Sequence, residues 1–269
     1  CVAAVVVVFV RFFRIRTDEP VRAFSGTLFR QFLVIALPSV LQQSFVSVGN
    51  IFIQKVVNRF GTAVIAGYSA SIKLNNLAVN CFFTIGNGLS NYSAQNFGAG
   101  KLTRIREGCR AGLKIILSIA LPVTALYLIF PHALVGFFMR EPSETALSVG
   151  SLFLRIVAPF YAVIAAKLIF DGILRGTGHM TLFMIDTFTD LIIRVLFAFL
   201  LSVPFASTGI WFAWPIGWGI STVLSFVFYR RGEWFRGATP PAALRREEEG
   251  TAVAVSEALT DAEDPAEDA

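Results

Sequence analysis

The sequence is poor in the side chains from which most active sites are built. It has two histidines and three cysteines in 269 residues. Cys1, Cys81 and Cys109 lie far apart without metal-ligand spacing, so they imply neither a disulfide framework nor a metal centre. His132 and His179 stand in no metal-binding pattern, and no Ser-Lys or paired-aspartate motif dominates, which disfavours a membrane-embedded enzyme. Charge is scarce as well: 15% of residues are charged, against 55% hydrophobic, with 27 Phe and a mean hydropathy of +0.67. That balance excludes an ordinary soluble domain and places the chain in the membrane class. The sequence pI near 9.4 does not point to nucleic acid, because the positive charge sits in short segments between apolar spans. A basic segment facing anionic membrane lipid accounts for it more simply.

An initiator methionine is also missing, and the opening run CVAAVVVVFVRFF is short. Its 13 residues reach roughly 20 Å as a helix, less than the roughly 30 Å bilayer core. Arg11, Arg14 and Arg16 follow the apolar run, the reverse of a signal peptide. The expectation is a partial N-terminal helix, the end of a severed span, belonging to a longer protein.

Residues 62–98 are long enough to cross a bilayer yet polar along one side. Ser69, Lys73, Asn76, Asn80, Thr84, Asn87, Asn91 and Gln95 share a helical face, while Ile65, Leu74, Leu77, Val79, Phe82, Phe83 and Ile85 cover much of the remainder. Unsatisfied amides cost several kcal/mol each in hydrocarbon, so this stripe must face other helices or a water-filled cavity. The preceding span, about Leu28 to Val57, repeats the device with Gln43, Ser47, Asn50 and Gln54. The turn Asn58-Arg59-Phe60-Gly61 makes the two antiparallel neighbours.

Four more spans follow. They run from about Ala111 to Phe130, Thr145 to Leu174, Thr181 to Val203 and Ile210 to Phe228. A basic loop or short surface helix precedes the first of these, an interfacial piece PHALVGFFMREPSE follows it, and PFASTG turns between the last two. Trp211, Trp214, Trp218 and Tyr229 read as interface anchors, and Pro38, Pro122, Pro159 and Pro215 as bends. Lys and Arg concentrate in residues 11–30, in residues 101–114 and after the last span, so the positive-inside rule puts both ends of the chain in the cytoplasm. The expectation is an all-α integral membrane protein: residues 1–27 as helix end and linker, 28–231 as a six-helix transmembrane bundle, and 232–269 as an acidic tail too polar to fold.

Several segments resemble the multidrug and toxic compound extrusion (MATE) transporters. They are Phe60-Gly61 with Ala66-Gly67-Tyr68, the run Ala94-Gln95-Asn96-Phe97-Gly98-Ala99-Gly100-Lys101, Ala158-Pro159-Phe160, and Gly172-Ile173-Leu174-Arg175-Gly176-Thr177-Gly178. The resemblance covers about residues 1–231. It implies one lobe, the C-terminal, of a twelve-helix, two-lobe antiporter of a cytoplasmic (inner) membrane, multi-pass, exporting amphipathic and often cationic compounds in exchange for H⁺ or Na⁺. No other cofactor is implied. The implied partners are small-molecule substrates, membrane lipids and the N-terminal lobe of the same protein. Candidate cavity residues are Gln43, Ser47, Asn50, Gln54, Lys73, Asn76, Asn80, Asn87 and Asn91, with Phe82 and Phe83 as apolar contacts.

Candidates for cation coupling are Asp171, Asp186 and Asp190, because intramembrane carboxylates are rare and face partners or water. Spacing offers each a partner on its own helix: Lys167 and Arg175 flank Asp171, while Asp190 lies between Asp186 and Arg194, all at intervals of four. Sodium-coupled members of the family carry a Glu in the first helix of this lobe and an Asp midway along the fourth. This sequence has Gln42-Gln43 and Ile164-Ala165 there, which leaves the ion open. A flippase for lipid-linked or polysaccharide substrates is the alternative transport reading, for which Lys73, Arg155, Lys167 and Arg194 are the only candidate cavity cations.

Overall fold

A computed structural model describes residues 6–7, 26–139 and 143–235. The expected linker up to residue 25, the Glu141-Pro142 turn and residues 236–269 of the expected tail lie outside the described residues, as does all of the opening run except 6–7. The start of that tail is not unfolded, because Glu233–Phe235 forms a 3-10 turn with Trp234 buried against Tyr229. Residues 1–40 and 41–269 form separate compact units. The described residues are helical throughout, without strands. Helix α1 spans Gly26–Val57, α2 Thr62–Gly98, α3 Leu102–Ile129, α4 Pro131–Phe137, α5 Glu144–Val157, α6 Tyr161–Gly176 and α7 Met180–Arg230.

The local chemistry explains the boundaries. Gly61, at φ +91°, takes a conformation that L side chains avoid and turns the chain between α1 and α2. Gly178, at φ +84°, does the same between α6 and α7. Ser143 caps α5 by accepting from the Ala146 N–H at 3.2 Å. Pro159 sits in a 3-10 turn, Ala158–Phe160, where it breaks the fourth expected span into α5 and α6.

One expected boundary needs correction, while the PFASTG turn falls where it was expected. The basic segment before the third span is no loop, since α3 is continuous from Leu102 and carries Arg104, Arg106, Arg110 and Lys114 as its exposed first turns. These long side chains keep their charges in water while their stems continue the helix. The PFASTG turn is a sharp reversal within α7, where Ala206 adopts φ 51° and ψ −137°. Residues 180–205 and 207–230 are therefore two limbs of a hairpin. Arg194 lies over the Trp214 ring, a Cβ on Gly217 would come 2.7 Å from Asp190 Oδ1, and one on Gly209 would collide with the Leu201 carbonyl. The 51 residues of α7 would stretch about 77 Å if straight, against a bilayer core of about 30 Å.

Helix α2 is the axis of the 41–269 unit, packing most extensively on α6 and α5. Small residues set the separation: a Cβ on Gly86 would lie 2.7 Å from the Leu168 carbonyl oxygen, and one on Gly172 2.5 Å from that of Gly86. Such backbone approach between helices is the membrane mode of packing. Around it, Tyr68 stacks on Trp211 at 5.1 Å, Phe153 meets Trp211 edge-on at 5.3 Å, and Tyr161 meets Phe82 and Tyr127 at 5.9 and 5.7 Å. Trp211, Trp214 and Trp218 are thus core residues and not interface anchors. Their rings fill the gap between the second limb of α7 and helices α2, α5 and α6. Among the described residues, three stretches are long and apolar enough to cross a membrane: Leu102–Ile129, Glu144–Gly176 and Met180–Arg230.

Candidate functional site

The expected polar stripe on α2 separates into two populations. Lys73, Asn76, Asn80 and Asn91 are exposed, and Asn87 is half-buried. On α1, Gln43, Ser47 and Asn50 are exposed and Gln54 is half-buried. Few of these residues bind neighbouring helices: Ser47 donates to the Gln43 carbonyl at 3.0 Å and Gln54 to Asn58 at 2.8 Å, both within their own segment. Cross-linking falls to residues one register away. Buried Asn75 accepts from the Tyr161 hydroxyl at 3.2 Å, Ser71 donates to the Gly150 carbonyl at 3.0 Å, and Gln42 donates to Thr187 at 2.8 Å. Phe82 is fully buried against Tyr161, so it belongs to the core and cannot touch a ligand in the cavity, whereas Phe83 is 40% exposed.

The three aspartates do converge. Helix α6 carries Lys167 and Asp171 on one face, the first limb of α7 carries Asp186, Asp190 and Arg194 on its facing side, and the second limb adds Ser225. Lys167 Nζ lies 2.5 Å from Asp171 Oδ2 and 2.6 Å from Asp186 Oδ2, bridging α6 and α7. Ser225 donates to Asp171 Oδ1 at 2.7 Å. Asp190, one helical turn on from Asp186, accepts at Oδ2 from Arg194 at 2.8 Å, and the Arg194 guanidinium lies 4.5 Å from the Trp214 ring centroid. None of the five charged side chains is more than 10% exposed.

Two expected pairings are thereby changed. Asp186 finds its cation across the helix interface and not along α7. Arg175 leaves Asp171 to Lys167 and Ser225. It donates instead to Asn87 Oδ1 at 2.5 Å and to Ser90 Oγ at 3.4 Å, with the Phe83 and Phe183 rings 5.6 and 5.4 Å away. It thereby ties the end of α6 to the polar stripe of α2. The role of Ser225 had no signal in the sequence, because a serine 54 positions from its partner shares no helix period with it.

Chemically, the cluster is a charged core that is incompletely satisfied. Asp171 is held at both oxygens. Among the described residues both Asp186 oxygens, Asp190 Oδ1 and Arg194 Nε are buried without a hydrogen-bond partner, Asp186 Oδ2 having only its ion pair with Lys167. Breaking a buried ion pair by removing one partner costs roughly 3–5 kcal/mol, because the other charge is stranded. An arrangement that strong in part and unsatisfied in part is suited to taking up a small cation or a proton.

Long apolar helices packed around buried, cross-helix charges define a polytopic membrane protein. Residues 38–200, more than half of the chain, match the MatE family model, and the chain belongs to that family. It is 26% identical over 203 residues to the probable multidrug resistance protein YpnP of Bacillus subtilis, covering 75% of this chain and 45% of that protein. It is 22% identical over 213 residues to the probable multidrug resistance protein NorM of Thermotoga maritima, covering 78% and 45%. The chain thus spans about half the length of the curated relatives it matches. Among solved structures, an outward-facing multidrug resistance MATE family transporter of the MOP superfamily aligns with a TM-score of 0.72 at 20% identity, over 80% of this chain and 49% of that one. The Vibrio cholerae MATE transporter VcmN in its bent form aligns with the same TM-score at 16% identity, over 80% and 49%. These structures share the fold.

Proposed function

We propose that this chain is the six-helix C-terminal lobe of a twelve-helix antiporter that exports amphipathic, often cationic compounds in exchange for a cation, H⁺ or Na⁺. Helices α1, α2, α3, the α5–α6 pair and the two limbs of α7 supply the six crossings. The basic first turns of α3 mark the cytoplasmic side, and the chain ends on that side of an inner membrane. The exposed amides of α1 and α2, with Lys73 and Phe83, form one wall of a cleft whose other wall is the N-terminal lobe. Amides that face away from their own core suit a hydrated surface against which a mixed polar and apolar solute can slide.

The observation that carries this reading is the buried Lys167–Asp171–Asp186 bridge between α6 and α7. Membrane interiors do not hold three carboxylates for packing, and apolar residues of like volume would serve stability as well or better. A cluster that binds a cation and rearranges α6 against α7 gives the export step its driving force. The test is export of a fluorescent cation by the complete transporter in vesicles. Imposed H⁺ or Na⁺ gradients are expected to drive export of several unrelated cations. Flipping of a phospholipid or polyprenyl lipid, with no gradient-driven dye export, would sink the reading.

A further inference from the structure

The buried charges carry one inference more, which rests on the coupling reading above and names the ion. Among the described residues, Asp171, Asp186 and Asp190 share the interior with two buried cations, Lys167 and Arg194, which leaves one buried negative charge in surplus there. Arg175, half-buried at the end of α6, has its guanidinium on Asn87, Ser90 and two aromatic rings. An alkali ion between Asp171 and Asp186, with Ser225 as a further oxygen ligand, would be the ordinary remedy, since hard cations collect several oxygens. That position is taken, because Lys167 Nζ stands 2.5 and 2.6 Å from the two carboxylates. Arg194 likewise covers Asp190, and among the described residues no group of three or more acidic, His or Cys side chains is arranged to hold a metal ion. What stays open is Asp186 Oδ1 and Asp190 Oδ1. Of the two carboxyls Asp186 is the more deeply enclosed, at 0% exposure.

We propose that this cluster is a cation site whose alkali-ion position is permanently filled by the chain's own lysine, so that it exchanges protons and not sodium, with Asp186 as the proton carrier. When Asp186 takes a proton from water the surplus charge is gone and Lys167 pairs with Asp171 alone. When the proton leaves, Lys167 again bridges the two carboxylates and draws α7 against α6. The groups facing Asp186 are Lys167 and Asp171 from α6, Asp190 on its own limb, and Ser225 behind Asp171 on the second limb.

The experiment is thermal unfolding of the purified complete transporter in sodium chloride against choline chloride. The wild-type midpoint is expected to be the same in both salts. Lys167→Met vacates the ion position and is expected to gain a sodium-dependent rise, which a second substitution, Asp186→Asn, abolishes. Sodium stabilisation of the wild type that Asp186→Asn removes would overturn the proposal, as would a Lys167→Met protein indifferent to sodium. If Lys167→Met does not fold, infrared difference spectra on acidification decide. A protonated-carboxyl band that grows in the wild type and is lost in Asp186→Asn supports the proton, and an unchanged band in that variant refutes it. These readouts require no transport. Failure of export under every gradient would therefore remove the coupling reading while leaving the ion preference measurable.

Discussion

Lys73 is the cation on the exposed stripe of α2, three residues from Asn76 and seven from Asn80. Its surroundings impose little on the fold, since substitutions at exposed positions usually shift stability by less than about 0.5 kcal/mol. Its charge does bear on what can approach. A unit charge about 4 Å away in water is worth about 1 kcal/mol, or about fivefold in an equilibrium. Lys73→Ala in the complete transporter is therefore expected to leave the unfolding midpoint unchanged and lower the apparent KM for a monovalent cationic dye about fivefold. An unchanged KM would remove Lys73 from the cleft wall. Arg175, which meets α2 well along the helix from Lys73, differs because it donates to Asn87 and Ser90 and holds helices together.

At the scale of the element, α7 is the unusual piece. Ala206 is its only described residue outside helical dihedrals, and φ 51° with ψ −137° is a region glycine occupies freely and alanine does not. Strain of that kind costs of order 1–3 kcal/mol. Ala206→Gly is expected to raise the thermal midpoint, measured by circular dichroism in detergent, because the side chain is exposed and loses no packing. A fall in the midpoint would mean that the hairpin tip is unstrained. The reversal itself was legible in the sequence, since Pro204 and Gly209 bracket PFASTG, but its tightness was not. Likewise the limits of α2 followed from its amide period and from Gly61 and Gly98, while the continuity of α3 into its basic turns was hidden by the charges there. Hydropathy marks where a helix leaves the bilayer, not where it ends.

At the scale of the molecule, the sequence makes the intrahelical half of the charge network readable and conceals the rest. The four-residue intervals from Lys167 to Asp171 and from Asp190 to Arg194 became ion pairs. The Lys167–Asp186 contact and the Ser225 hydroxyl depend on how α6 crosses the two limbs of α7, which no period encodes. Periodicity found the open amide face of α2 but did not tell the core ring Phe82 from the exposed ring Phe83. Asn75 and Phe82 were buried by Tyr161, and Asn76 and Phe83 one position on were not. What the fold adds is a separation in space: an exposed amide face on α1 and α2, and an enclosed charge bridge between α6 and α7. They are joined mechanically where Arg175 reaches from α6 to Asn87. In this account proton release at Asp186 shifts α6 and so moves the wall.

The most direct test is dye export from proteoliposomes of the complete transporter under an imposed pH gradient, comparing wild type with Asp186→Asn. Gradient-driven export is expected in the wild type and at least a tenfold slower rate in the variant, about 1.4 kcal/mol or more in the driving step, with dye binding retained. Export by Asp186→Asn at the wild-type rate under the same gradient would contradict it.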